Sequence, residues 1–282
     1  MPKFRITKTS GTVAVSLAIA LLSSPASASI KYNFTSGANG LSSGANVSGQ
    51  TFSSLGSADS GPDVTVTGWS NTVGSSNVKI ESGVVKTWSG LSVTNQDESG
   101  GAPNHSTDNA GRYDSVLLSF ASDIILNGLS VGWKNTDSDM TVLAYTGADP
   151  FDTSTKLSGL EYGQLVGNGW ELIDHISNVA LDSSPMTTGD DVTYFNSGAT
   201  SASYWLVGAY NPLVGSSKGW SIGNDYIKIS ALIGDRPSSN GGGGSVPEPA
   251  SILLLALGLW PLWFFRRRGT SLRRQEEYTI AC

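Results

Sequence analysis

Short runs that alternate apolar and polar side chains, or that are rich in apolar and β-branched residues, recur along the middle of the chain. Clear examples are VTVTGW (64–69), SVLLSF (115–120) and YWLVGAY (204–210), and glycine, asparagine, aspartate or serine separates such runs. A period of two residues places successive side chains on opposite faces of a β-strand. We find no stretch longer than two turns with the i, i+3, i+4, i+7 apolar spacing of an amphipathic helix. The pattern therefore predicts an all-β body.

Nine or more strands of this kind are predicted between residues 29 and 236. Strands at this spacing favour a two-sheet β-sandwich or a jelly-roll-like domain. In SVLLSF, Val116 and Leu118 point to one face and Leu117 to the other. Ser119 lies on the same face as Leu117, so both faces of the strand are partly apolar, which predicts a central position in its sheet.

The first 28 residues have the pattern of a secretory signal peptide. Three basic residues precede a short apolar stretch over 13–22, and small residues follow at Ala26 and Ala28. This pattern predicts export through the Sec translocon and cleavage between Ala28 and Ser29. The alternative, a retained membrane anchor, is disfavoured because the apolar stretch is too short to span a bilayer comfortably.

The last 46 residues, 237–282, contain a second apolar segment with a different arrangement. A Gly/Ser-rich linker over 237–245 leads to Val246-Pro247-Glu248-Pro249, and an apolar run over 250–265 ends at Arg266-Arg267-Arg268. A helix of that length covers roughly 24 Å, enough to insert into a bilayer with the arginines held in the cytoplasm. Residues 269–282 then form a cytoplasmic tail, and the body lies on the opposite side of the inner membrane.

This order of motif, apolar helix and arginine cluster resembles the PEP-CTERM sorting signal of Gram-negative bacteria over residues 246–268. In that family the membrane-embedded protease exosortase recognises the signal. The resemblance implies exosortase as a partner and cleavage near Pro247 to Pro249. It also implies a precursor anchored in the inner membrane and a mature form at the cell surface or outside the cell. The tail after Arg268 is longer than in most members of the family.

The centre of the body, about residues 90–150, resembles exosortase-dependent surface proteins. That group has no established catalytic activity, and its sorting systems accompany exopolysaccharide production. The resemblance therefore implies a surface, matrix or biofilm role, with exopolysaccharide as a partner and no reaction. The matching segments are NQDE (95–98), PNHSTDN (103–109), GRYDSVLLSF (111–120), GW (132–133), DSD (137–139) and AYTG (144–147).

Composition and charge narrow the possible functions further. Residues 29–236 contain nine basic and twenty acidic side chains, and such an acidic body disfavours binding to the phosphates of nucleic acids. The single cysteine, Cys282, rules out an intramolecular disulfide, and two histidines are too few for a zinc cluster of His and Cys. The glycine-rich, HExxH and GxSxG motifs of common cofactor-binding and catalytic sites are absent.

Two acidic segments are candidate calcium sites, because hard cations prefer carboxylate and carbonyl oxygens from irregular loops. Neither segment has EF-hand spacing, so a plain polar loop and a capped hairpin remain the alternative interpretations. The candidate ligands are Asp97, Glu98, Asn104, Asp108, Asn109 and Asp114 in the first segment, and Asp137 and Asp139 in the second.

Three tryptophans flanked by glycine or serine, Trp88, Trp170 and Trp220, are candidate platforms for sugar stacking. Three hypotheses follow from these features. The first is a non-enzymatic exported surface or matrix protein. The second is a calcium-stabilised carbohydrate-binding module, and the third is a secreted hydrolase. The hydrolase is the weakest, because no motif singles out a nucleophile or a pair of acids.

Overall fold

The computed structural model of the protein describes residues 29–55, 60–73, 78–98, 105–182 and 191–237. The predicted signal peptide, all of the linker except Pro237, the sorting signal and the tail lie outside these residues. The strands, in chain order, are β1 (Ile30–Asn33), β2 (Ala45–Asn46), β3 (Thr51–Phe52), β4 (Val64–Val73), β5 (Lys79–Thr87), β6 (Leu91–Thr94), β7 (Thr107–Asp108), β8 (Asp114–Thr136), β9 (Met140–Tyr145), β10 (Trp170–Ile176), β11 (Thr193–Tyr194), β12 (Ala202–Ala209) and β13 (Asp225–Asp235).

Helical structure in the described part of the chain is limited to single turns. The α-helix α1 (Thr153–Lys156) begins where the carboxylate of Asp152 accepts a hydrogen bond from the Ser154 amide at 2.9 Å. Three 3₁₀ turns complete the set, Gly37–Asn39, Tyr162–Gln164 and Val166–Asn168. The all-β prediction is confirmed.

The strands form one sheet that closes on itself in a barrel-like manner. Hydrogen-bonded neighbours follow the order β1-β13-β6-β5-β4-β8-β12-β9-β10, and an additional pairing joins β13 to β8. Strands β13, β6, β5, β4 and β8 thus form a closed ring, and the remaining strands flank it. A two-sheet sandwich or jelly roll is a more specific description than this closed sheet establishes, and it stays a prediction.

Strand β8 makes the closure possible because it is 23 residues long and pairs with different strands along its length. Its first part, Asp114 to Phe120, pairs with β4 and also borders β12. Its second part, Ile125 to Thr136, pairs with β13. The predicted central position of SVLLSF is confirmed, since β4 and β12 lie on either side of it.

Alternation along β8 directs side chains into two separate hydrophobic clusters. Val116 and Leu118 join the larger core, which also contains Trp205. Leu117, between them, joins a second cluster that includes Tyr162 and Trp170. All three β8 side chains are at most 1% exposed, so both faces of the strand are covered.

Candidate metal centre

Three carboxylates from separate elements lie together where β8 begins. Glu98 follows β6, Asp108 ends β7 and Asp114 is the first residue of β8. One carboxylate oxygen from each residue lies within 4.8 Å of those of the other two. We name these three residues the first acidic cluster. The sequence predicted all three as calcium ligands, and the structure brings them to one place.

Burial makes the charged forms of the first acidic cluster costly. Burial, together with the negative charge of Asp108, raises the pKa of Glu98 to about 7. Burial also raises the pKa of Asp108 to about 6. The pKa of Asp114 is raised well above its ordinary value, first by burial and then by the charges of Asp108 and Glu98. Without a cation, these groups therefore hold their protons to a higher pH than ordinary carboxyl groups do.

The hydrogen bonds of the first acidic cluster leave one of its buried oxygens without a partner. Asn95 Nδ2 donates to Asp114 Oδ1 at 3.1 Å, and the Asn95 amide donates to Glu98 Oε2 at 3.1 Å. Asp108 accepts from the Ala110 amide at 3.0 Å. Asp114 Oδ2 is buried and makes no hydrogen bond within normal distance and angle limits. The nearby Ser70 hydroxyl lowers the pKa of Asp114, but it is itself a buried group with no partner within those limits.

A second acidic cluster consists of Asp137, Asp139 and Asp225, again with one oxygen of each within 4.8 Å of the others. Asp137 and Asp139 were predicted as ligands, whereas Asp225 was not among the predicted ligands. Asp225 is fully buried at the start of β13, and burial raises its pKa to about 7. Its distance along the sequence from Asp139, 86 residues, left no local signal that could have paired them.

The other predicted metal ligands lie elsewhere or have other partners. Asp97 forms an ion pair with Arg112 at 2.6 Å and is not in either cluster. Asn109 donates to Asp225 Oδ2 at 2.6 Å and to the carbonyl of Tyr210 at 3.0 Å, so it braces the second cluster. Asn104 lies outside the described residues.

The three predicted sugar-stacking tryptophans differ in their exposure. Trp170 is 2% exposed, and its ring packs against Tyr145 and Phe151, so its faces are not open to a ligand. Trp88 is half-buried and its ring lies 4.9 Å from that of His105. Trp220 is also half-buried, with its ring 5.1 Å from that of Tyr210.

An open aromatic cleft that sequence analysis did not identify lies beside β9 and β12. It has a volume of about 350 Å³ and is lined by Tyr145, Phe151 and Tyr204 together with Asp123 and Asp149. The rings of Phe151 and Tyr204 are stacked, with centroids 4.2 Å apart. Aromatic faces next to carboxylates are a combination that suits polar ligands with an apolar face. We name this feature the aromatic cleft.

Comparisons with known proteins concern the C-terminal segment. No helix within the described residues has the length and apolar character needed to cross a bilayer, and the predicted membrane helix over 250–265 lies outside them. The search of curated proteins and of solved structures gave no match. One family model, the PEP-CTERM protein-sorting motif, matches residues 245–268. The chain therefore carries the C-terminal sorting signal of exosortase-dependent proteins.

Proposed function

We propose that this protein is an exported, non-catalytic component of the cell surface or extracellular matrix. The precursor is anchored in the inner membrane by its C-terminal helix, and exosortase cleaves it near Pro247 to Pro249. The observation that carries this proposal is the sorting motif at residues 245–268. The body then works in the exopolysaccharide-rich layer outside the cell, in a matrix or biofilm role.

The composition of the body supports a role outside the cell. Its excess of acidic side chains favours solubility and disfavours binding to nucleic acids. The body contains no cysteine, so its folding does not depend on an oxidising compartment.

The mass of the mature chain tests this proposal directly. A tagged full chain is expressed in the native host with and without its exosortase, and the intact mass is measured in each cell fraction. We expect loss of the segment after the motif, and surface or external location, only when the protease is present. The variant Pro247→Ala with Glu248→Ala should keep the full-length C-terminus, whereas Glu276→Ala in the tail should be processed normally. Identical full-length chains in the membranes of both strains would contradict the proposal.

The aromatic cleft favours a second function, carbohydrate binding. A sugar ring can stack on the half-buried faces of Phe151 or Tyr204 while its hydroxyls meet the carboxylates of Asp123 and Asp149. The Asp149 side chain is 79% exposed and is therefore accessible to a ligand.

Substitution within and outside the aromatic cleft tests the second function. We expect Tyr204→Ala to weaken binding to the host's purified exopolysaccharide at least tenfold, measured by affinity electrophoresis. Trp220→Ala, at the alternative platform, should bind as the unmodified chain does. The reverse result would place the sugar on Trp220, and retention of binding by both variants would contradict stacking at either position.

A further inference from the structure

We propose that the first acidic cluster is a binding site for one calcium ion, with Glu98, Asp108 and Asp114 each supplying a carboxylate oxygen. This site lies apart from the sorting signal and does not depend on the function proposed above. It would join the loop after β6 and the short strand β7 to the beginning of the long strand β8.

The spacing of the three carboxylates agrees with a shared calcium ion. Calcium–oxygen distances are about 2.3–2.6 Å, so two oxygens bound to one ion are at most about 5 Å apart. In the first acidic cluster the three oxygens lie within 4.8 Å of one another.

The charge of the cluster requires a counter-charge. Asp108 and Asp114 are each 1% exposed, and Glu98 is half-buried. The two ion pairs found among the described residues, Arg112–Asp97 and Lys156–Asp149, involve other acids. Three adjacent carboxylates without a cation are costly to ionise, because mutual repulsion adds to the cost of burial.

A buried oxygen with no hydrogen-bond donor points to a missing ligand. Nearly all buried polar atoms in folded proteins have a partner, so each exception needs an explanation. Asp114 Oδ2 is such an exception, and its carboxyl group faces Glu98 and Asp108. A cation bound to this oxygen would supply the partner and offset the buried charge at the same time.

The second acidic cluster provides a contrast within the same molecule. Asp225 accepts hydrogen bonds from the Asp139 amide at 2.9 Å and from Asn109 at 2.6 Å. Asp139 accepts from the Asn178 amide at 2.8 Å, and Asp137 accepts from the Ser138 amide at 2.8 Å. Hydrogen-bond donors of the protein therefore satisfy the carboxylates of the second cluster, and we propose no ion there.

The ligand type favours calcium over other common metal ions. The cluster offers only oxygen ligands, whereas zinc sites in proteins usually include nitrogen or sulfur. Calcium accepts irregular arrangements of six to eight oxygens and can complete its shell with backbone carbonyls and water. Magnesium requires a near-ideal octahedron and loses its water with difficulty, so it fits three carboxylates from separate elements less well.

Calcium binding by the full chain, purified in detergent and stripped with a chelator, tests the proposal. We expect isothermal titration calorimetry at pH 7.5 to show that one calcium ion binds, and that it binds at this site. The melting temperature (Tm) should rise by about 5–10 °C when calcium is in hundredfold excess over its Kd. Asp114→Asn should abolish both effects, and Glu98→Gln should weaken binding at least tenfold. Magnesium at the same concentration should produce less than half of the calcium shift.

Controls separate a specific site from general charge effects and from misfolding. Asp137→Asn, in the second acidic cluster, should bind calcium as the unmodified chain does. Metal-free Asp114→Asn should melt no lower than the metal-free parent, because asparagine keeps the shape of the side chain and cannot take up the negative charge that burial disfavours. If that variant does not fold, the half-buried Glu98→Gln decides the question. Any one of four results would overturn the proposal. The first two are no binding at 10 mM calcium and undiminished binding by the variants at Asp114 or Glu98. The others are loss of binding only in Asp137→Asn and an equal effect of magnesium.

Discussion

At the scale of single residues, Lys228 combines a buried cation with two aromatic rings. The side chain is 5% exposed, and its ammonium group lies 3.9 Å from the ring centroid of Trp133 and 5.4 Å from that of Trp88. Cation–π contact stabilises the charge in part. Burial still lowers the pKa of Lys228 from 10.5 to about 8, so the folded protein holds this proton less tightly than the unfolded chain does.

The lowered pKa of Lys228 predicts how a substitution will depend on pH. Between pH 8 and 10.5 the unfolded chain keeps the proton and the folded chain has lost it, so this group makes stability rise with pH. Lys228→Met removes that effect. We expect the unfolding free energy of the parent, relative to Lys228→Met, to increase between pH 8 and 10.5 in urea titrations. Lys79→Met at an exposed position serves as the control and should show no such trend.

Contacts between residues could be predicted only where those residues lie close together along the chain. Asp108 and Asp114 lie six residues apart in one polar segment, so a shared site with the nearby Glu98 was a reasonable prediction. The position of Asp225 beside Asp139 depends on the pairing of β13 with the end of β8. The same long-range pairing places Lys228 next to Trp133. Such contacts are set by sheet topology, which alternation along single strands does not encode.

At the scale of elements, the main difference from the sequence prediction is the length of β8. SVLLSF was predicted as a short run of six residues, but the structure has one strand from Asp114 to Thr136. Residues 121–123, which follow that run, are exposed and include serine and aspartate, which resembles a turn. They lie where β8 passes from its pairing with β4 to its pairing with β13. Positions of the individual strands were predictable, whereas their continuity and the ring closure were not.

Close packing of β12 against β8 gives a prediction at this scale. A Cβ atom at Gly208 would lie 2.2 Å from the carbonyl oxygen of Asp114 and 2.8 Å from the Ser115 Cβ atom. We expect Gly208→Ala to destabilise the fold by about 2 kcal/mol or more, which lowers the Tm by roughly 4–8 °C. Gly167→Ala is the matched control, because no atom lies within 4 Å of its added Cβ. Equal melting temperatures for the two variants would show that β12 and β8 are less tightly packed than described.

At the scale of the whole molecule, buried acids make stability depend on pH in a direction opposite to that of most acid-denatured proteins. The raised pKa values of Glu98, Asp108 and Asp225, about 7, 6 and 7, mean that the folded chain binds more protons than the unfolded chain above pH 4. Their contribution to stability is complete below pH 4 and is lost as the pH rises through 6 to 7. The lowered pKa of His175 acts in the opposite direction below pH 6.5.

This balance predicts the pH profile of the metal-free chain. We expect its unfolding free energy to fall by at least about 2 kcal/mol between pH 5 and pH 7.5, measured by urea titration with chelator present. Glu98→Gln should reduce this fall, because glutamine has no proton to lose and gains no charge as the pH rises. A profile that rises steadily over the same range would contradict the assignment of protons to the buried acids.

The two ends of the described body are joined, which gives a prediction about where the mature chain can begin. Ile30 pairs with Gly234 and Asn33 with Ala231, and the side chains of Ile30, Tyr32 and Phe34 are at most 1% exposed. Removing residues 1–34 deletes these three buried side chains, each of which contributes about 1.5–3 kcal/mol.

A chain that begins at Thr35 should therefore lose roughly 5 kcal/mol and unfold at or near room temperature, because small domains have only about 5–15 kcal/mol in total. A chain that begins at Ser29 keeps β1 and should melt within a few degrees of the full chain. Circular dichroism melts of both truncated chains measure the difference. If the shorter chain melts like the longer one, β1 does not hold the body together, and cleavage after Ala28 is not constrained by the fold.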